Sequence, residues 1–199
     1  MKQFGTAAIL AGGMSSRMGF DKQFLQARQQ RLIASLLPGL CAVFDDILVV
    51  TNRPELYTAL PVRTVSDLIP GKGPLSGIHA ALHNATSEYS YVMACDMPRF
   101  SGEYAHFLQQ WLQQHPGADA CVTVRGEWIE PFHAFYGQSA LKTLEHDLAA
   151  DKTSIYYLLK KLNTAYVPEA SARAFSPDWS LFCNLNTREE YLQYLQQTQ

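Results

Sequence analysis

Short apolar runs alternate with amphipathic stretches along most of this chain. Runs at residues 6–10, 46–51, 64–65, 91–95, 118–124 and 131–136 predict strands. Between them, apolar positions at helical spacing predict helices over 31–44, 75–84, 102–114 and 140–148. The first of these should be broken or kinked at Pro38-Gly39, because proline has no N–H to donate and crowds the preceding turn. Thr187 and Glu190 have the spacing of a capping box, which predicts a terminal helix carrying Tyr191, Leu192 and Leu195 on one face. The Gln-rich tail from Gln193 reads as its fraying end. Such alternation predicts an α/β fold of three layers, a mostly parallel sheet with helices on both faces.

Length and composition narrow this picture. The 199 residues suit a single domain, 1–199, and no repeat, linker or low-complexity segment divides them. With 47% apolar residues there is ample core, and a net charge of −2 disfavours nucleic acid as a partner. The opening apolar run is too short for a signal peptide, and no stretch reaches the ~18 apolar residues of a membrane span. The expectation is a cytoplasmic protein with no membrane partner. Cys41, Cys95, Cys121 and Cys183 lack metal-site spacing and read as buried free thiols. His79 and His83 lie four apart on a helix but have no third ligand nearby, so they read as structural or surface residues.

Residues 7–25, AAILAGGMSSRMGFDKQFL, carry the chemistry. A loop leaving a strand aims backbone N–H groups at phosphate oxygens, and Gly12 and Gly13 let the main chain approach closely. Arg17 and Lys22 add two cations suited to a triphosphate. The commoner phosphate loops are excluded: no GxxxxGK[ST] occurs, and Gly71, Gly73 and Gly77 miss the GxGxxG spacing by one residue. In an open parallel sheet ligands bind beyond the carboxyl ends of the strands. Gly12, Asn52, Asp67 and Asp96 each follow a predicted strand, so one crevice should collect them. Asp96 closes the run YVMAC ahead of Pro98, and a hard carboxylate there suits Mg²⁺ completed by water and substrate phosphates. An Asp in that place can equally cap the following turn.

The pattern LAGGxSxRMGxDK, met from Leu10 to Lys22, resembles the nucleotidyltransferase family that includes molybdenum cofactor guanylyltransferase. Four further segments agree in order: Asp67 with GKGPLSGIHAAL (71–82), YVMACDMP (91–98), EPFHAFY (130–136) and FCNLNTREEY (182–191). The resemblance covers almost the whole chain and implies a Rossmann-like fold of the nucleotide-diphospho-sugar transferase type. It implies an Mg-dependent nucleotidyltransferase that moves GMP from GTP to molybdenum-loaded molybdopterin, releasing pyrophosphate. By resemblance, Leu10, Ala11, Gly12 and Gly13 cradle the nucleotide and Gly77 lines its site. Lys22 meets the phosphates, Asn52 and Asp67 contact the guanosine, Arg17 stabilises developing charge, and Asp96 holds the metal.

Arg125, His133, Asn184 and Asn186 are candidates for the acceptor side, and His133 can equally be a satisfied strand residue. Related sugar and cytidylyl transferases often place a second metal-binding carboxylate near FCNLNT, where this chain offers only amides. Arg125, Trp128, Arg173 and Trp179 can form an aromatic-lined site for an anionic acceptor, while both tryptophans can equally be packing residues. Lys72 is either a phosphate contact or an exposed charge. Molybdopterin-handling proteins or molybdoenzyme apoproteins are the protein partners implied. The competing readings are a cytidylyltransferase on the same pterin, a sugar- or polyol-phosphate nucleotidyltransferase, a GTP-binding cofactor-delivery module without catalysis, and a Rossmann-like oxidoreductase. Cytidine-using relatives resemble LAAG, with a methyl group where Gly12 stands.

Overall fold

Residue alternation along β1 (Lys2–Leu10) shows how the layers are built. Ala7 and Ile9 point into one core and Ala8 and Leu10 into another, all essentially removed from solvent. A strand buried on both faces needs helices on both sides, which is why it reads as a continuous apolar run. The computed structural model describes residues 1–12, 22–27 and 30–197. Among these, β1 is followed by a short hairpin of β2 (Gln26–Ala27) and β3 (Gln30–Arg31), then α1 (Leu32–Cys41), β4 (Asp46–Val50) and β5 (Arg63–Val65). Next come α2 (Pro74–Asn84), β6 (Ser87–Ala94), α3 (Gly102–Gln114), β7 (Ala120–Arg125) and β8 (Trp128–Gly137). The chain closes with α4 (Leu141–Ala149), α5 (Ile155–Lys161), β9 (Thr164–Val167), α6 (Glu169–Arg173) and α7 (Arg188–Gln197).

Seven strands form one sheet in the order β5-β4-β1-β6-β8-β7-β9. All run the same way except β8, which is antiparallel to both β6 and β7. The mostly parallel, three-layer α/β expectation holds, and the reversal of β8 is what the periodicity could not reveal. One core packs α1, α3 and α6 beneath the sheet; the other packs α2, α4 and α5 against the opposite face. A small third cluster, Leu25, Ala27, Leu32 and Leu185 with Tyr191 and Tyr194, fastens α7 to the β2–β3 hairpin.

Several local expectations need correction. α1 runs through Pro38 without a break, since the lost N–H is one bond in a helix buried along Ile33, Leu36, Leu37 and Leu40. Gly39 follows because a Cβ there would meet the Phe100 ring at 3.0 Å. The strand expected at 131–136 begins earlier, at Trp128, and β9, α5 and α6 were not foreseen. On α7, Tyr191 and Tyr194 make the packed face while Leu192 is 47% exposed. All four cysteines are free, but only Cys95 and Cys121 are buried; Cys41 and Cys183 are exposed.

Candidate nucleotide and phosphate site

Parallel pairing brings distant strand ends to one edge. Beyond β1, the Ala11 amide donates to the Val50 carbonyl (2.9 Å), and the Cys95 amide donates to Leu10 (3.0 Å). The Thr51 amide donates to Val65 in turn (2.8 Å). Gly12, Asn52, Asp67 and Asp96 therefore stand just past adjacent strands, as the sequence suggests. A pocket of about 660 Å³ opens there, lined by Leu10, Gly12, Asn52, Asp67, Gly73 and Gly77 together with Gln23 and Arg53. Asp67 is half-buried, and burial raises its carboxyl above the usual range.

The pocket's far wall is the amino end of α2. Gly73 precedes that helix at φ 61°, ψ −145°, a region essentially reserved for glycine, and so turns the chain into Pro74 at the helix start. Gly77 is one turn further in. A Cβ on it would sit 3.1 Å from Leu10 Cδ1, so the missing side chain allows α2 to press onto β1 at the pocket floor. Lys72 is drawn away from the pocket into an ion pair with Asp151, ahead of α5.

Beside this pocket a polar junction joins three remote segments. Lys22 Nζ donates to Asp96 Oδ2 (2.5 Å) and to Asn186 Oδ1 (2.9 Å). The Asp96 side chain is 9% exposed and that of Lys22 22%. The Leu185 amide donates to the Asp96 carbonyl (2.9 Å), which holds the 184–186 segment against the end of β6. Asn186 is fixed from the other side by the predicted capping box. Glu190 Oε2 accepts from the amides of Asn186 (2.7 Å) and Thr187 (2.8 Å), while Thr187 Oγ1 accepts from the Glu190 amide (3.1 Å). The Asn186 amide, then burial in opposition, then the Thr187 groups leave the Glu190 carboxyl below its usual range.

The donor set can be tested against Mg²⁺. No group of three or more His, Cys, Asp or Glu side chains among the described residues could hold a metal. Lys22 is met here by one carboxylate, Asp96, and by the amide oxygen of Asn186, while the Glu190 carboxylate stands behind, taken up by the Asn186 and Thr187 amides. The amide oxygen of Asn184, two residues before Asn186, is buried without a hydrogen-bond partner among the described residues. Hard oxygens in small number fit a cation that keeps water and takes phosphate ligands, and do not fit zinc. Gly13 and Arg17 lie outside the described residues, as does Asp21.

The acceptor-side candidates separate. His133 is fully buried, so the phosphate-contact reading is corrected: it is the core residue of the other alternative, with one ring nitrogen left unsatisfied. Its Nδ1 meets the Tyr91 hydroxyl at 2.6 Å, Nε2 has no partner of good geometry, and burial lowers its pKa to about 3. Its φ of 49° lies in the left-handed region, an irregularity within β8. Arg125 closes β7 and lies over the Trp179 ring at 5.1 Å, with Arg173 at 5.2 Å, and Glu130 accepts from the Trp179 indole N–H (3.2 Å). Trp179 is a buried packing residue, whereas Trp128 is 78% exposed.

Gln23 and Arg53 were not singled out from the sequence. Gln23 is buried, its Oε1 accepting from Thr51 (2.8 Å) and Tyr57 (3.1 Å), so the residue after Lys22 fixes the helical turn at 22–24 beside the pocket. Their adjacency to Lys22 and Asn52 was the available signal.

Known proteins resemble this chain over nearly its whole length. The MobA-like NTP transferase domain matches residues 7–165. A "Probable molybdenum cofactor guanylyltransferase" of Peptoclostridium acidaminophilum is 51% identical over 100% of this chain and 91% of its own. The molybdenum cofactor guanylyltransferase of Syntrophotalea carbinolica is 50% identical over 98% of this chain and 92% of its own. Among solved structures, molybdopterin-guanine dinucleotide biosynthesis protein A from Archaeoglobus fulgidus superposes with a TM-score of 0.84 at 27% identity, covering 96% of this chain and 97% of that one.

Proposed function

The chain belongs to the MobA-like NTP transferase family, and we propose that it is a guanylyltransferase, moving GMP from GTP to molybdenum-loaded molybdopterin. The products are a guanine dinucleotide form of the cofactor and pyrophosphate. The observation that carries the reading is the junction of Lys22, Asp96 and Asn186 at the edge of the strand-end pocket. A cation, a hard carboxylate and an amide oxygen stand where a triphosphate leaving that pocket would arrive.

Each group has a defined task. Guanosine occupies the pocket between Gly12, Asn52, Asp67 and the start of α2. Asp67 offers the pocket's carboxylate for N–H or hydroxyl donors of the nucleoside, and Gly12 leaves room for the main chain to approach. Lys22 exchanges its present partners for phosphate oxygens and balances the charge that grows as pyrophosphate departs. Arg17 supports the same charge by its place in the motif. Asp96, with Asn186 and Asn184 as amide oxygen donors, would hold Mg²⁺. When bound, that ion supplies charge neutralisation at the phosphates. A terminal phosphate oxygen of the acceptor forms the new bond to the α-phosphorus while the bond to the bridging oxygen of pyrophosphate breaks. The attacking phosphate is already ionised near neutrality, so alignment and charge balance supply the acceleration and no strong general base is required.

Among the described residues no helix is long and apolar enough to cross a membrane, which accords with a cytoplasmic enzyme using small-molecule substrates. Pyrophosphate release by the purified protein, with Mg²⁺ and molybdenum-loaded pterin, tests the reading when GTP, CTP, ATP and UTP are offered separately. Turnover with GTP alone is expected. Turnover with CTP alone would move the protein to the cytidylyl alternative, and release with a sugar phosphate in place of the pterin would change the acceptor.

A further inference from the structure

Away from the nucleotide pocket, a groove of about 1030 Å³ lies between the β7–β8 hairpin and α5. Trp128 at the hairpin contributes an indole 78% open to solvent, although burying such a ring is among the larger apolar gains a side chain can make. Tyr156 and Tyr166 line the same groove, and Lys160 Nζ lies 5.4 and 5.6 Å from their ring centroids. The two tyrosine rings thus already attract a cation, while the Trp128 indole stays open to the groove. Pro131 contributes apolar wall, and Glu127 places one carboxylate at the margin.

We propose that this groove seats the flat heteroaromatic ring of the acceptor, a 2-amino-4-oxo pterin, with Trp128 as its principal stacking face. The proposal rests on the guanylyltransferase reading and adds to it where the acceptor is held. The complementarity is chemical. The flat π-face of the pterin matches the open indole of Trp128, and the amino and ring N–H donors along one pterin edge match the paired oxygens of Glu127. The anionic side chain of the acceptor matches Lys160. The position is equally apt. β8 is the strand beside β6, whose end carries Asp96, and the start of β8 rises at that same edge because β8 runs backwards. The Lys72–Asp151 ion pair ties the glycine turn of the nucleotide pocket to the loop that opens α5. The pocket and the groove thereby both open at the strand-end edge that carries the Lys22–Asp96 junction.

The test is fluorescence anisotropy of 6-carboxypterin titrated with the full chain, alongside a parallel titration with GTP. Saturable pterin binding is expected, weakened about tenfold in Trp128→Ala, the scale of one lost stacking face. Tm and GTP affinity should be unchanged, because Trp128 lies outside both the core and the nucleotide pocket. Glu127→Gln should weaken the pterin without affecting GTP. No pterin binding, equal binding by Trp128→Ala, or a change confined to self-association would each overturn the seat. The two readings fail separately. Wild-type acceptor KM in Trp128→Ala with normal GMP transfer sinks the seat alone, and Trp128-dependent pterin binding with no GMP transfer sinks the guanylyltransferase reading alone.

Discussion

Lys22 and Asp96 are 74 residues apart in sequence, yet the lysine ammonium lies 2.5 Å from the aspartate carboxylate at the end of β6. Each group is mostly withdrawn from water, so each depends on the other until substrate arrives. Lys22→Ala and Asp96→Ala should each lower GMP transfer at least about 100-fold, the scale of a lost charge-stabilising contact. The double variant should be little worse than either single one, because the two act as a unit. Pyrophosphate release measures this, and near-normal turnover in either single variant would remove the pair from the mechanism.

The capping box should matter to catalysis as well as to the helix. Glu190→Ala strips two amides of their acceptor, costing about 1 kcal/mol of stability, and frees Asn186. Glu190→Gln retains an acceptor oxygen. Turnover should therefore fall in the alanine variant and recover in the glutamine variant, with urea unfolding run in parallel. Equal turnover in both would show that α7 merely covers the surface.

Gly12→Ala isolates nucleotide choice from folding. Among the described residues an added Cβ meets Asp67 Oδ2 alone, at an ordinary 3.9 Å, so thermal stability should not move. The methyl group instead enters the pocket that Gly12 lines. The kcat/KM ratio of GTP over CTP should drop, and an unchanged ratio would exclude Gly12 as the discriminator.

Acid stability should report His133. Burial depresses its folded pKa to about 3, while the unfolded ring titrates near 6.5. Between those values the unfolded state binds more protons, so this histidine's contribution is intact above about 6.5 and declines as pH falls toward about 3. The slope is about 1 kcal/mol per pH unit within the window. Urea midpoints at pH 7.5 and 5 should converge in His133→Gln, which cannot take up a proton but can still meet the Tyr91 hydroxyl. An equally steep loss in that variant would assign the acid sensitivity elsewhere.

The legibility of this molecule in its sequence follows from the range of each signal. β1, β4 and β6 are apolar runs buried on both faces, and pattern alone finds them and implies parallel pairing. Strand direction leaves no mark in hydrophobicity, so β8's reversal was invisible. α5 and α6 span seven and five residues, too few for a helical period to emerge. Lys22 and Asp96 stood out because a phosphate loop and a strand-end carboxylate are local features. Their meeting with Asn186, 164 residues from Lys22, is a property of the fold. His133 sits in a motif of the second-substrate region, and its full burial and positive φ are properties of the fold that no local pattern carries.

The same three-way junction sets an order of events during synthesis. Lys22 emerges early, Asp96 midway and Asn186 much later, so the nascent chain carries Lys22 long before it carries the residues that receive it. Contacts this remote form slowly relative to local ones. The pocket's described lining residues all precede Ile78, but β1 gains its second neighbour only with β6 and the junction its last member only with Asn186, so pocket and reactive end are both completed by parts of the chain made later.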